Sequence, residues 1–368
     1  MRRVDLHCYP GTQEWITSQG PYPAALGEYW GKAWVAKTEA EVVADMDAAG
    51  IEAVLVAFDI ESVTGAPPCG NDYVAGLRDR HPGTFIQAGG AVDPLKGEQA
   101  IAEAIAAVTE HRVLGFHFHP IMGHFAVDEP ALSPLFETIA GLKVPVMIDV
   151  GTTGMGAGMP GGMGARLEHA RPMSVDNLAA RFPSLTIIAA HPGWPWTDEM
   201  TAVALHKGNV FWELSGWAPK YFPPSLRTDI RGRLREKMMF GSDHPSMPYE
   251  RILREWDELG YDQSVMDRVF HANAERVLGL LRGWSRGCAG DRDGAAAVVR
   301  APDQGPREVP GRADRLRRGL ARRGAAGIRL PAGGTGRAGR LAAGGVHDAA
   351  AQRRAVPVGA GPAAGAGR

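Results

Sequence analysis

Short apolar runs rich in Val, Ile, Phe and Ala recur along the first three quarters of the chain, separated by helical periodicities and Gly/Pro punctuation. The pattern predicts strands at Val4–Cys8, Ala53–Asp59, Phe85–Gly89, Leu114–His119, Val144–Val150, Leu185–His191, Val210–Ser215 and Met238–Asp243. Helical stretches such as Glu39–Ala49, Glu98–Glu110, Leu132–Gly141 and Val175–Phe182 lie between them. Near-continuous apolar strands imply burial on both faces, and alternation of strand and helix implies a parallel sheet. Eight such units fit an α/β architecture of the (β/α)8 TIM-barrel type, which takes roughly 250 residues.

The polar residues in this pattern favour closure of the sheet. His7, Asp59, Asp93, His119, Asp149, His191, Ser215 and Asp243 stand at or just beyond the C-terminal ends of different strands. An open sheet gathers its functional ends at one switch point, whereas a barrel directs all of them into one mouth.

Four of these tips carry candidate chemistry. Asp5-Leu6-His7-Cys8-Tyr9 ends the first strand, and side chains at i and i+2 share a face, so Asp5, His7 and Tyr9 are expected to point the same way, inward toward the mouth. Asp149 ends an apolar run, His191 opens His-Pro-Gly-Trp194, and Asp243 lies in Gly-Ser-Asp-His-Pro. Acids and imidazoles buried at a barrel rim need a cation or strong hydrogen-bonding partners. His117 and His119 alternate on one strand, which reads as a core pair or, for His119, as a substrate-binding or auxiliary metal histidine. Trp194, Trp196 and Trp217 suit an aromatic pocket or ordinary rim packing.

Composition divides the 368 residues. From Gly287 onward there are 15 Arg, no Lys and only six acids, and most residues are Ala, Gly, Arg or Pro, without an aromatic side chain. The expected organisation is therefore a barrel over 1–286 and a disordered low-complexity tail over 287–368. The Arg-rich tail raises nucleic-acid binding as a reading, but a bland extension or out-of-frame translation explains the same mixture, so nucleic acid is not the expected partner. No apolar run is long enough to span a membrane, the N-terminus has no signal-peptide pattern, and Cys8, Cys69 and Cys288 are too scattered for a disulfide framework, which leads to an expectation of a cytoplasmic protein.

The constellation on strands one, five, six and eight resembles the amidohydrolase-related family of metal-dependent hydrolases and decarboxylases, which includes aminocarboxymuconate-semialdehyde decarboxylase, resorcylate decarboxylase and a 4-hydroxyphenyl-β-ketoacyl-CoA hydrolase. The resemblance covers about residues 1–282; Gly154 to Gly162, Leu214 to Phe222 and the closing Asn-Ala-Glu-Arg-Val-Leu-Gly-Leu look most like the hydrolase branch. It implies one divalent ion, Zn, Mn or Fe with Mn or Zn favoured, held by Asp5, His7, Asp149, His191 and Asp243. It also implies catalytic roles for Asp243 and His191, substrate contacts from His119, Trp194 and Trp217, a small-molecule substrate and a homodimer. Two departures stand out. Strand one lacks His-x-His, leaving either His7 with Tyr9 in place of a second histidine or an Asp5-x-His7 pair, the latter preferred, and Asp149 replaces a strand-five histidine.

Three ionised acids around one divalent ion leave a net negative site, which disfavours a substrate carboxylate. The expected activity is therefore hydrolysis of a C–C, ester, amide or thioester bond next to a carbonyl on a small aromatic or β-keto acid derivative. The alternatives are non-oxidative decarboxylation of an aromatic or unsaturated acid and a metal-free barrel serving as a binding protein. Gly156 to Gly161 spells G-x-G-x-x-G, but Pro160 and the following glycines leave no helix inside the motif, so a flexible lid is expected there instead of a nucleotide site.

Overall fold

The computed structural model describes residues 1–280. The expected boundary at 286/287 and the tail over 287–368 lie outside the described residues. Eight parallel strands alternate with helices: β1 (Val4–Cys8), β2 (Glu52–Val56), β3 (Phe85–Gly89), β4 (Phe116–Phe118), β5 (Val146–Asp149), β6 (Ile187–Ala190), β7 (Val210–Glu213) and β8 (Met238–Met239). The expected TIM barrel is thus present. Its strands form two ladders, β1-β2-β3 and β4-β5-β6-β7-β8.

Single bridges join the ladders at two seams. Gly90 pairs with Phe116 between β3 and β4, and Cys8 pairs with His244 between β1 and the segment after β8. At the second seam Leu6 N donates to Phe240 O at 3.2 Å, Asp243 N to His7 O at 2.7 Å, and Tyr9 N to His244 O at 2.9 Å.

Parallel register places side chains of neighbouring strands in layers. Met147 pairs with Ile188, and two residues further along Asp149 pairs with Ala190 and Ala190 with Glu213. The first pair belongs to an apolar cluster with Val4, Leu6, Val54 and Met239 that fills the barrel. Asp149 and Glu213 occupy the next layer toward the C-terminal ends. A larger cluster, including Leu55, Phe118, Ile148, Ala189 and Trp212, packs on the outer face of the strands.

Local signals account for the helix limits. Thr38 and Glu41 form a reciprocal capping box before the helix Glu39–Ala49, and Gly50, at φ 64°, ends it. No α-helix opens inside the glycine-rich segment after β5; Pro160–Gly164 is a kinked turn with Gly161, Gly162 and Met163 at left-handed φ of 60°, 60° and 59°, Leu167–Ala170 makes a 3-10 turn, and the next α-helix begins at Pro172. A Cβ at Gly154 would meet Trp30, and one at Gly158 would meet Tyr29, so this segment lies against the helix Tyr22–Trp30. None of the described helices is long and apolar enough to cross a membrane.

Candidate metal centre

His7, Asp149 and His191 converge, each offering one ligand atom within 4.8 Å of the others. Asp149 is 3% exposed and is ringed by three imidazoles. His117 Nε2 lies 2.9 Å from its Oδ1, His191 Nε2 3.4 Å from Oδ1, and His119 Nε2 3.4 Å from Oδ2. Burial alone would raise the Asp149 pKa, but His117, His191 and His119 outweigh it and hold the carboxyl well below the usual range. The same pairing acts on His191: against the cost of burial, Asp149 raises its pKa to about 10. Burial, reinforced by His117, lowers the pKa of His7 well below its ordinary value.

Asp149 Oδ2 is buried and has no hydrogen-bond partner. A buried carboxylate with one oxygen lacking a hydrogen bond, converging with the imidazoles of His7 and His191, is the arrangement a divalent cation satisfies, and two nitrogens with carboxylate oxygen suit Mn²⁺ or Zn²⁺. The residues therefore fit the ion that the sequence implies. Asp243 stands at the edge of this group, with Oδ1 3.9 Å from His7 Nε2 and its side chain 23% exposed. Partial burial, opposed by His191, pushes its pKa up to about 7. Both His191 and Asp243 take positive φ, 72° and 58°, a backbone state uncommon for these residues.

Asp5 is placed elsewhere, which corrects its expected position beside His7. Val4 and Leu6 face the barrel interior, so Asp5 faces outward, and a register shift between Asp5 and Cys8 turns His7 into the mouth while Cys8 joins the outer core. Asp5 Oδ1 accepts from His7 N and Ser242 N at 3.1 and 3.0 Å, and Oδ2 accepts from the Ser242 and Tyr249 hydroxyls at 2.5 and 2.7 Å. With four donors on it, this carboxylate ties β1 to the segment after β8. Tyr9, the other first-strand alternative, lies with its hydroxyl 3.1 Å from His7 Nε2.

His119 Nδ1 accepts from Met122 N at 3.3 Å, so its proton resides on Nε2, the atom that faces Asp149. That makes it a hydrogen-bond donor to the site. Trp194 and Trp217 meet at 5.7 Å between ring centroids, Trp217 packed on the core and Trp194 half exposed. His244 stacks on Tyr249 and hydrogen-bonds Tyr9 O, a structural role.

Two contributors escape the sequence reading. His117 counted only as a core histidine, yet it makes the shortest contact with Asp149. Glu213, fully buried on β7, reaches His7 Nδ1 at 3.3 Å and Ser215 Oγ at 2.8 Å. An acid closing the apolar run Val-Phe-Trp, two residues before a serine, was the available signal.

Comparison with known proteins agrees with this architecture. No curated protein matches the chain. An uncharacterized TIM-barrel protein from Bordetella bronchiseptica superposes with a TM-score of 0.61 at 20% identity, covering 76% of this chain and 99% of the other. The 5-carboxyvanillate decarboxylase of Sphingomonas paucimobilis gives 0.56 at 19% identity, covering 76% and 99%. A dihydroxybenzoic acid decarboxylase from a Polaromonas species, solved with manganese and 2-nitroresorcinol, gives 0.55 at 16%, covering 76% and 97%. The amidohydrolase family model matches residues 31–280, more than half of the sequence. With that match and this barrel, the chain belongs to the amidohydrolase family of metal-dependent enzymes.

Proposed function

We propose that the protein is a metal-dependent, non-oxidative decarboxylase of a small aromatic acid, with Mn²⁺ or Zn²⁺ held by His7, Asp149 and His191 and by Asp243 at the edge. The observation that carries this reading is the place of Asp5. With its carboxylate engaged by Ser242 and Tyr249, Asp5 adds no charge at the ion, and Asp149 with Asp243 do not exceed the charge of a divalent cation, whether Asp243 is ionised or carries the proton it delivers. The excess negative charge that favoured hydrolysis of a neutral substrate is gone, and His117, His119 and His191 supply an environment that accepts a carboxylate. The aromatic-acid decarboxylases among the structural neighbours, three of them structures with manganese, support the same choice.

When bound, the ion supplies an electrophile that orients and polarises a substrate oxygen. The protein's own groups do the rest. His119 Nε2–H donates to substrate oxygen at the Asp149 side of the site. Trp194 and Trp217 flank the ring and limit water. Asp243, with a pKa near neutrality, gives a proton to the ring carbon as the bond to the carboxylate breaks, so that R–COO⁻ and H⁺ become R–H and CO₂. His191 would be one of the residues that hold the ion.

The test is to incubate the Mn²⁺-loaded full chain with a panel of ortho-hydroxylated benzoates and, separately, with β-diketones, esters and thioesters. Release of CO₂ from a member of the first panel, abolished by Asp243→Asn, is the expected result. Turnover confined to the second panel would replace decarboxylation by hydrolysis.

A further inference from the structure

The network behind the two histidines determines which of their nitrogens is free. Ser215, 1% exposed just beyond β7, lies with Oγ 3.0 Å from His191 Nδ1, 3.1 Å from His7 Nδ1 and 2.8 Å from Glu213 Oε2. A hydroxyl has one proton to give and two lone pairs to receive. With Glu213 accepting through Oε2, one allocation fills all three contacts: Ser215 donates to Glu213 and accepts from both Nδ1–H groups, and Glu213 Oε2, 3.3 Å from His7 Nδ1, is a second acceptor for the same N–H. With an ion bound, when His191 has given up its extra proton, the remaining lone pairs of both rings then lie on Nε2. On His7 this is compatible with a separate contact in the ion-free site, where the Tyr9 hydroxyl lies 3.1 Å from Nε2 and can donate to the lone pair that an ion would take over.

Two glycines keep the space this requires. A Cβ on Gly216 would stand 2.5 Å from His191 Nδ1, and a Cβ on Gly241 would stand 2.2 Å from Glu213 Oε1.

We infer that Ser215, backed by Glu213, is a positioning residue that sets His7 and His191 together in the Nδ1–H form and so directs both Nε2 atoms to the ion. The inference rests on the reading of these two histidines as ligands. One hydroxyl serving both rings couples them: losing it frees two imidazoles to rotate or to exchange tautomer, whereas a separate acceptor behind each ring would confine the damage to one.

The experiment uses the full chain with ¹⁵N-labelled histidine, loaded with diamagnetic Zn²⁺, and reads the tautomer of each ring from long-range ¹H–¹⁵N correlations. Wild type is expected to show Nδ1–H on both rings. Ser215→Ala is expected to lose this uniform state and to weaken Zn²⁺ binding about 10- to 100-fold, while Ser215→Thr, which keeps the hydroxyl, restores both. Unchanged tautomers with Zn²⁺ affinity within about twofold of wild type in Ser215→Ala would overturn the inference, as would Nε2–H on either ring of wild type. If Ser215→Ala does not fold, the wild-type spectrum decides. If wild type takes up no Zn²⁺, the metal reading fails, and the His7 tautomer in the ion-free protein still separates the outcomes: Nδ1–H supports the Ser215 contact and Nε2–H removes it.

Discussion

At the scale of single residues, Asp149 is the charge that three imidazoles surround, and it is the carboxylate of the proposed ligand set. Asp149→Asn keeps the size of the side chain but removes the charge, so Mn²⁺ affinity is expected to fall by at least about tenfold. Asp149→His should retain an ion and shift the preference toward Zn²⁺, because imidazole is the softer donor. Metal analysis of the three proteins after growth in equal Mn and Zn reads both effects; identical contents would place Asp149 outside the coordination sphere. Protons and the ion compete for the same Nε2 and carboxylate atoms, so affinity is expected to weaken as pH falls from 8 to 6 and to recover on return. Calorimetric titration at the two pH values checks the sign.

At the scale of elements, the chain shows which parts of such a site are legible in a sequence. Asp149 and His191 could be found because each follows an unbroken apolar strand, where a polar residue has few reasons to be. Asp5 could not be assigned, because a bulge changes the side-chain period of β1 between Asp5 and Cys8, and the partners that fill its carboxylate are more than 200 residues away. Ser215 stands among the polar strand tips and Glu213 closes an apolar run, but their role is not legible, because it depends on rings delivered by β1 and β6. Asp5→Asn should consequently lower the melting temperature yet leave ion stoichiometry at the wild-type value, whereas loss of the ion with unchanged stability would restore Asp5 as a ligand. The loops after β5 and β6 are similarly interlocked. Gly151, at φ 91°, has the backbone of Gly193 and Trp194 2.7 Å from where a Cβ would stand, and Thr152 N donates to Trp194 O at 2.8 Å. Backbone cannot swing aside as a side chain does, so Gly151→Ala is expected to cost about 1–3 kcal/mol in chemical denaturation. It should also weaken the ion by separating Asp149 from His191.

At the scale of the whole molecule, the barrel is drawn shut from both ends of the β1–β8 seam. On the side away from the mouth, Arg2 reaches Glu52 and Glu275, each at 2.5 Å, and donates to Leu280 O at 3.0 Å, tying β1 to β2 and to the last described helix, Asn273–Leu278. Its side chain is 5% exposed while the two acids are partly solvated, so Arg2→Ala is expected to cost roughly 1–3 kcal/mol, less than a fully buried pair. A lowered melting temperature with unaltered metal content is the result to look for. At the other end, three backbone hydrogen bonds and one bridge hold the seam, and the proposed ligands His7 and Asp243 stand on its opposite lips, with Asp243 N bonded to His7 O. A cation between them would act as a clasp: the fluctuation that unzips these strands would also have to eject it. Amide protons of Leu6, Tyr9 and Asp243 would then exchange with deuterated water more slowly once the clasp is fastened, while Gly90 N, on the far seam, keeps its rate.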